Sequence, residues 1–136
     1  PEAKLLAVQD GARPLVTPVL IDRVVEAAAR CGAAAPAIPM KDTIKTVTAE
    51  GAVTGTPDRS TLRAVQTPQV FEADLLKAAL QSALENEIPV TDDCSAVERL
   101  GKVVYLIDGN EENLKITTPM DLVIAEAILA EREARR

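Results

Sequence analysis

The sequence predicts an α/β fold: a mostly parallel sheet with flanking helices and a protruding β-arm. Three observations predict it. Short apolar runs alternate along the chain with stretches whose apolar residues recur at helical spacing. Two Thr-Pro pairs, Thr17-Pro18 and Thr118-Pro119, supply an N-cap followed by Pro at the first helical position. Between them lies a long stretch that alternates β-branched and polar residues with few large apolar side chains.

In order, residues 4–8 (KLLAV) read as a buried strand that ends in polar Gln9 and Asp10. A helix follows from Pro18, with Leu20, Ile21, Val24, Ala28 and Cys31 on one face and Gly32 as its stop. Residues 33–40 are rich in Ala and Pro, with a short strand expected at 37–39. Residues 43–65 read as the arm, turning at Ala49-Glu50-Gly51; such an edge invites a partner strand. Helices are expected over 71–84 and 91–101, and strands over 103–107 and 114–116. The last helix runs from Thr118 through Ala130, with acidic Asp121 in its first turn, and 131–136 read as a charged, fraying tail.

At 136 residues the chain has the length of one domain. Apolar residues make up 47% and charged residues 26%, as in a folded globular protein rather than a disordered one. The net charge of −6 argues against a nucleic-acid-coating protein, and two aromatics, Phe71 and Tyr105, make no base-stacking platform. No apolar run reaches the ~18 residues of a membrane span, and no signal peptide is expected. A strand so soon after Pro1 reads as the middle of a domain. Cys31 and Cys94 fit neither a zinc knuckle nor a redox pair, and read as small buried hydrophobes in a reducing cytoplasm.

The chain contains no His, which removes Ser-His and Cys-His nucleophile pairs and imidazole metal ligands. It also lacks a Walker A loop and a G-x-G-x-x-G turn. In a parallel α/β sheet, ligands bind beyond the carboxyl ends of the strands. The residues there are Asp10 and Arg13 (VQDGARP), Lys41, Asp42, Thr43 and Lys45 (MKDTIK), Thr67 and Gln69 (QTPQVF), and Asp108, Asn113 and Lys115 (IDGNEENLK). Carboxylates, hydroxyls and cations without an imidazole suit phosphoryl or nucleotidyl transfer, which rests on positioning and charge neutralisation. Each piece also has a plain structural reading. Asp10-Gly11 is a turn dipeptide, Lys115 a solvated cation, Arg59 and Arg63 surface charges, and Asp92 and Asp93 complements to a helix dipole.

The series VQDGARP, KDTIK, TPDRSTLRAVQTPQVF, TDDCSAVE and NLKITTPMDL resembles the 2-C-methyl-D-erythritol 4-phosphate cytidylyltransferases of non-mevalonate isoprenoid biosynthesis, over about residues 5–128. The resemblance implies a Rossmann-like nucleotidyltransferase fold, of which residues 1–136 form the C-terminal part. Residues 41–66 are then the dimerisation arm, and the N-terminal CTP-binding half, with its Gly-rich loop, lies outside this chain. It implies transfer of a cytidylyl group from CTP to the sugar-alcohol phosphate, with release of pyrophosphate, in a cytoplasmic homodimer. Asp10 matches an acid near Mg²⁺ and Lys115 a catalytic cation. Arg13 and Thr67 match substrate-binding positions, and Thr43 and Arg59 match positions presented into the neighbouring subunit's site. Where the family has His-Asp-Ala, this chain reads Gln9-Asp10-Gly11. The ribitol 5-phosphate cytidylyltransferases share part of the pattern and are one alternative; a catalytically silent dimerisation fragment is another.

Overall fold

The computed structural model describes residues 2–136. The chain runs β1 (Leu5–Val8), α1 (Pro18–Cys31), β2 (Ala33–Pro39), β3 (Thr46–Val47), β4 (Val53–Gly55), β5 (Arg63–Val65), β6 (Gln69–Glu72), α2 (Ala73–Glu85), α3 (Asp93–Arg99), β7 (Tyr105–Asp108) and α4 (Pro119–Ala134). Thr17 caps α1 by accepting the Leu20 N–H at 3.3 Å. Gly32 closes that helix at φ 89°, in the left-handed region that a side chain disfavours. Asp92 and Ser95 cap each other's backbone at the start of α3, as Thr118 and Asp121 do at α4.

The larger sheet is built around β2. Ala34 pairs with Val70 of β6 on one side and Tyr105 of β7 on the other; Ala37 likewise pairs with Val65 of β5 and with Asp108. β1 pairs antiparallel with β6 and closes the opposite edge. The α/β class with flanking helices holds. Within these residues the sheet is mixed: β2–β7 is parallel, and the pairings β1–β6, β2–β5 and β2–β6 are antiparallel. The reason is that β5 and β6 return directly beside β2 without a crossover helix.

Alternation along the strands divides the core into two layers. Ala33, Ala35 and Phe71 face α2 and α3, packing with Leu76, Ala79, Cys94, Ala96 and Val97. Ala34 and Val70 face α1, packing with Leu20, Val24, Ala27 and Ala28. Several expected boundaries move. The strand expected at 37–39 starts at Ala33, because burial on both faces overrides the weak strand preference of Ala. Phe71 and Glu72 belong to β6, not to a helix, and α2 begins only at Ala73. The strand expected over 103–107 occupies Tyr105–Asp108. Residues 114–116 form no strand and are held by a ladder-like bond, from the Ile116 N–H to the Ala12 carbonyl at 2.8 Å. α4 continues to Ala134, through most of the expected tail.

In the expected arm, β3 and β4 form their own two-stranded sheet, with the Thr46 and Thr54 hydroxyls bonded at 2.8 Å and Val47 and Val53 exposed. Its last residues behave differently, since β5 joins the main sheet. Both cysteines are free thiols. Burial, then Asp92, Glu98 and Asp93, push the Cys94 thiol up to about 12. A thiol whose pKa rises on folding stabilises the fold below its unfolded value near 9, and that contribution is lost as pH rises toward 12. Wild-type stability in urea is therefore expected to fall more steeply between pH 9 and 12 than that of Cys94→Ala. Equal slopes would show that the thiol ionises as readily folded as unfolded.

Candidate active site

Strand direction gathers the candidate residues at one rim. β1, β2 and β7 run the same way, so their carboxyl ends lie together with the starts of β5 and β6: Val8 is opposite Gln69, and Pro39 opposite Arg63. Between Val65 and Val70 the chain spends five steps where β2 spends three, from Ala37 to Ala34. The two extra residues make a bulge at this rim, a common device for re-aiming side chains beside a site. Thr67 sits in it.

Asp10 follows β1 across from this bulge. Its backbone N–H donates to the Thr67 hydroxyl at 3.1 Å, and its Oδ1 accepts the Ala12 N–H at 2.9 Å. Its Oδ2 lies 3.4 Å from Lys115 Nζ; the two side chains are 31% and 51% exposed, so solvent and ligand reach both. The Ala12 N–H is the largest influence on the Asp10 carboxyl and outweighs the opposing effect of burial; with the Lys115 ammonium and the Arg13 charge it holds the carboxyl below its usual range. Arg13 Nη1 donates to the Asn113 carbonyl at 2.6 Å, and burial lowers the guanidinium's pKa. The Gln9 amide donates to the Asp10 and Arg13 carbonyls at 3.1 and 3.2 Å and closes the turn that presents both.

A cleft of about 320 Å³ opens beside this junction, lined by Val8, Gln9, Asp10, Thr67, Gln69, Val90, Thr91, Asp92 and Asp93. Gln69 ties its two walls together, donating to Asp92 at 3.1 Å and accepting the Cys94 N–H at 3.1 Å. Burial and the neighbouring Asp92 raise the Asp93 carboxyl's pKa.

The structure thus brings Asp10, Arg13, Thr67 and Lys115 together, and leaves two candidates apart. Thr43 is exposed between β2 and β3. Arg59 lies in a single 3-10 turn (Arg59–Thr61), donates to the Lys41 carbonyl, and lines a notch with Pro39, Met40, Asp58, Ser60 and Arg63. Among the described residues no group of three or more acidic or cysteine side chains is placed to hold a metal by itself. Asp10 still suits a hard cation, since Mg²⁺ in nucleotide sites takes one or two carboxylates and completes its shell with phosphate oxygens and water.

Two residues at the rim are buried: Gln66, which the sequence does not single out, and Asn113, a candidate of the late loop to which it gives no specific role. Gln66 stands beside Thr67 in QTPQ, and Asn113 belongs to the late loop, but their partners lie 44 to 47 residues away, beyond any local pattern.

The family model for 2-C-methyl-D-erythritol 4-phosphate cytidylyltransferase (IspD) matches residues 1–131. The chain belongs to this family. The curated cytidylyltransferase of Desulforamulus reducens is 50% identical over 131 residues, which cover 96% of this chain and 56% of that protein. That of Nocardia farcinica is 51% identical over 135 residues, 98% of this chain and 57% of that one. The crystal structure of the enzyme from Thermus thermophilus superposes with a TM-score of 0.84 at 42% identity, covering 93% of this chain and 62% of its own. The 4-diphosphocytidyl-2C-methyl-D-erythritol synthase of Anaerococcus prevotii superposes at 0.87 with 32% identity, covering 96% and 60%. The chain therefore spans little more than half the length of these curated relatives.

Proposed function

We propose that this chain supplies the acceptor-side half of a cytidylyl transfer from CTP to 2-C-methyl-D-erythritol 4-phosphate. The observation that carries this reading is the junction of Asp10, Thr67 and Lys115 at one sheet rim in a member of this family. In the reaction, a phosphate oxygen of the acceptor attacks the α-phosphorus of CTP. The new P–O bond forms as the α–β P–O bond breaks, and pyrophosphate leaves with that electron pair. A phosphate nucleophile is already anionic and needs no base, which fits a chain without His.

Lys115 neutralises charge on the transferring phosphorus, the Thr67 hydroxyl donates to the acceptor phosphate, and Arg13 holds the turn of Asp10 in register with the Lys115 loop. Asp10 is the residue that would hold Mg²⁺; the ion, when bound, supplies charge neutralisation on the triphosphate. The cytosine base and the rest of the triphosphate fall to the portion of the fold that the relatives have beyond this span.

The reading extends to a homodimer in which Thr43 and Arg59, carried beside the β3–β4 arm, reach the partner's site. Exposed Val47 and Val53 and the small separate sheet support an arm that packs on another surface. The free thiols fit a cytoplasmic setting, and no helix among the described residues is long and apolar enough to cross a membrane.

Pyrophosphate release by the full-length protein with CTP and Mg²⁺ tests the reading. Release is expected with methylerythritol phosphate and not with ribitol 5-phosphate. The reverse preference would reassign the acceptor, and no release with either would refute the transfer and leave dimerisation through the arm as the reading. Arg59→Ala is expected to raise KM for the sugar phosphate about 10-fold or more, the loss of one charged hydrogen bond, with little change in KM for CTP. Initial-rate kinetics showing both constants rising equally would refute the role in the partner's site.

A further inference from the structure

We propose that Gln66 and Asn113 form a buried amide strut that sets Lys115 against Asp10 and Thr67, with Asn113 acting as a positioning residue for the transfer; this rests on the function proposed above. Lys115 needs such a device. It lies in a stretch without helix or strand, so no regular hydrogen-bond ladder fixes where its ammonium stands.

Gln66, 4% exposed, treats Asn110 as a neighbouring strand would: its amide donates to the Asn110 carbonyl at 2.9 Å and accepts the Asn110 N–H at 3.2 Å. Asn113, 1% exposed, donates to the Thr67 carbonyl at 2.9 Å and to Gln66 Oε1 at 3.3 Å, while its backbone carbonyl accepts from Arg13. One residue thus touches the segments carrying Thr67 and Arg13 and lies two positions before Lys115. The Ile116 N–H bond to Ala12 pins the other side. Gly109 belongs to the same device: a Cβ there would stand 2.5 Å from Gln66 Oε1 and 3.1 Å from the Ala37 backbone nitrogen.

Stability alone does not account for this arrangement. Among the described residues, Asn113 Oδ1 and Arg13 Nε are both buried without a partner. A core selected for stability would favour an apolar side chain of Asn113's volume over an amide with an unmet acceptor. What the amide adds is direction, a fixed distance from the bulge to the loop.

The test uses the full-length protein and Asn113→Leu, with Asn113→Ser, which keeps one donor, as a second variant. Asn113→Leu is expected to lower kcat about 10–100-fold, the scale of a small misplacement of a catalytic group, with KM for CTP nearly unchanged. Asn113→Ser is expected to recover part of that loss, and carries the test if Asn113→Leu does not fold. In a Lys115→Ala background the Asn113 change should lower kcat by no more than about twofold, because its effect passes through Lys115. Full additivity of the two losses would overturn the proposal. A readout independent of turnover separates this inference from the proposed function. Amide spectra of the folded Asn113 variant are expected to shift at residues 10–13, 66–67 and 109–117. Spectra unchanged at Asp10 and Lys115 would overturn the strut even if the wild-type protein releases no pyrophosphate.

Discussion

Lys115→Ala is expected to lower the rate of pyrophosphate release about 10²–10³-fold, the usual scale for removing one preorganised charge contact from a transition state. The fold should be unaffected, because the Lys115 side chain is half exposed and its ion pair with Asp10 is open to solvent. Its ammonium therefore contributes little to stability. A carbon-detected titration of Asp10 checks that the pair exists in solution. The carboxyl should move up in Lys115→Ala yet stay below its ordinary value, since the Ala12 N–H bond is the largest cause of its depression and survives the change. The sign follows from linkage: a carboxyl depressed by folding adds stability above its unfolded pKa of about 3.8, and that stability is lost as pH falls through the folded value. A titration identical to wild type would mean that Lys115 does not face Asp10. Near-normal turnover would remove Lys115 from the chemistry.

The candidate site was legible to the extent that it lies at strand ends. Asp10 follows β1 and Thr67 precedes β6, and parallel β1, β2 and β7 carry such ends to one rim, whereas Lys115 lies in the loop after β7, where the sequence predicts a short strand. Arg13 came with Asp10 because a four-residue turn joins them, closed by the Arg13 N–H on the Asp10 carbonyl at 3.0 Å. Boundaries were less legible where long-range pairing outweighs local preference. Phe71 and Glu72 continue a helical apolar pattern in sequence, yet they face Leu6 and Leu5 of β1 across a ladder. Ala33–Ala35 look like a loop by composition, but they form the centre of the sheet, buried between α1 on one face and α2 and α3 on the other. Gln66 escapes notice, and Asn113 stands out only as a polar loop residue, for a different reason. An amide's burial is decided by partners that arrive from elsewhere in the chain, and no spacing within QTPQ or NLKITTP encodes them.

Phe71→Ala is expected to destabilise the protein by about 3–5 kcal/mol, the upper range for truncating a buried aromatic. This is the chain's single Phe, it is fully buried, and Ala33, Ala35, Ala79 and Ala96 are among its companions in that cluster. Alanines cannot rotate into the space it would vacate, so the cavity stays open and the cost lies at the high end. Against a total stability of about 5–15 kcal/mol, such a loss brings the fold near its limit. The consequence reaches the site, because Phe71 and Gln69 lie two apart on β6 and project from the same face. Phe71 anchors the cluster that includes Cys94 and Val97 of α3, and Gln69 holds the same helix start through Asp92 and Cys94. Loosening Phe71 therefore loosens the wall of the cleft opposite Asp10. Urea unfolding should show a lower midpoint with an unchanged slope, and turnover measured well below that midpoint should fall as well. A midpoint within error of wild type would show that the two layers close over the gap, and that Gln69 alone suffices to hold α3 in place.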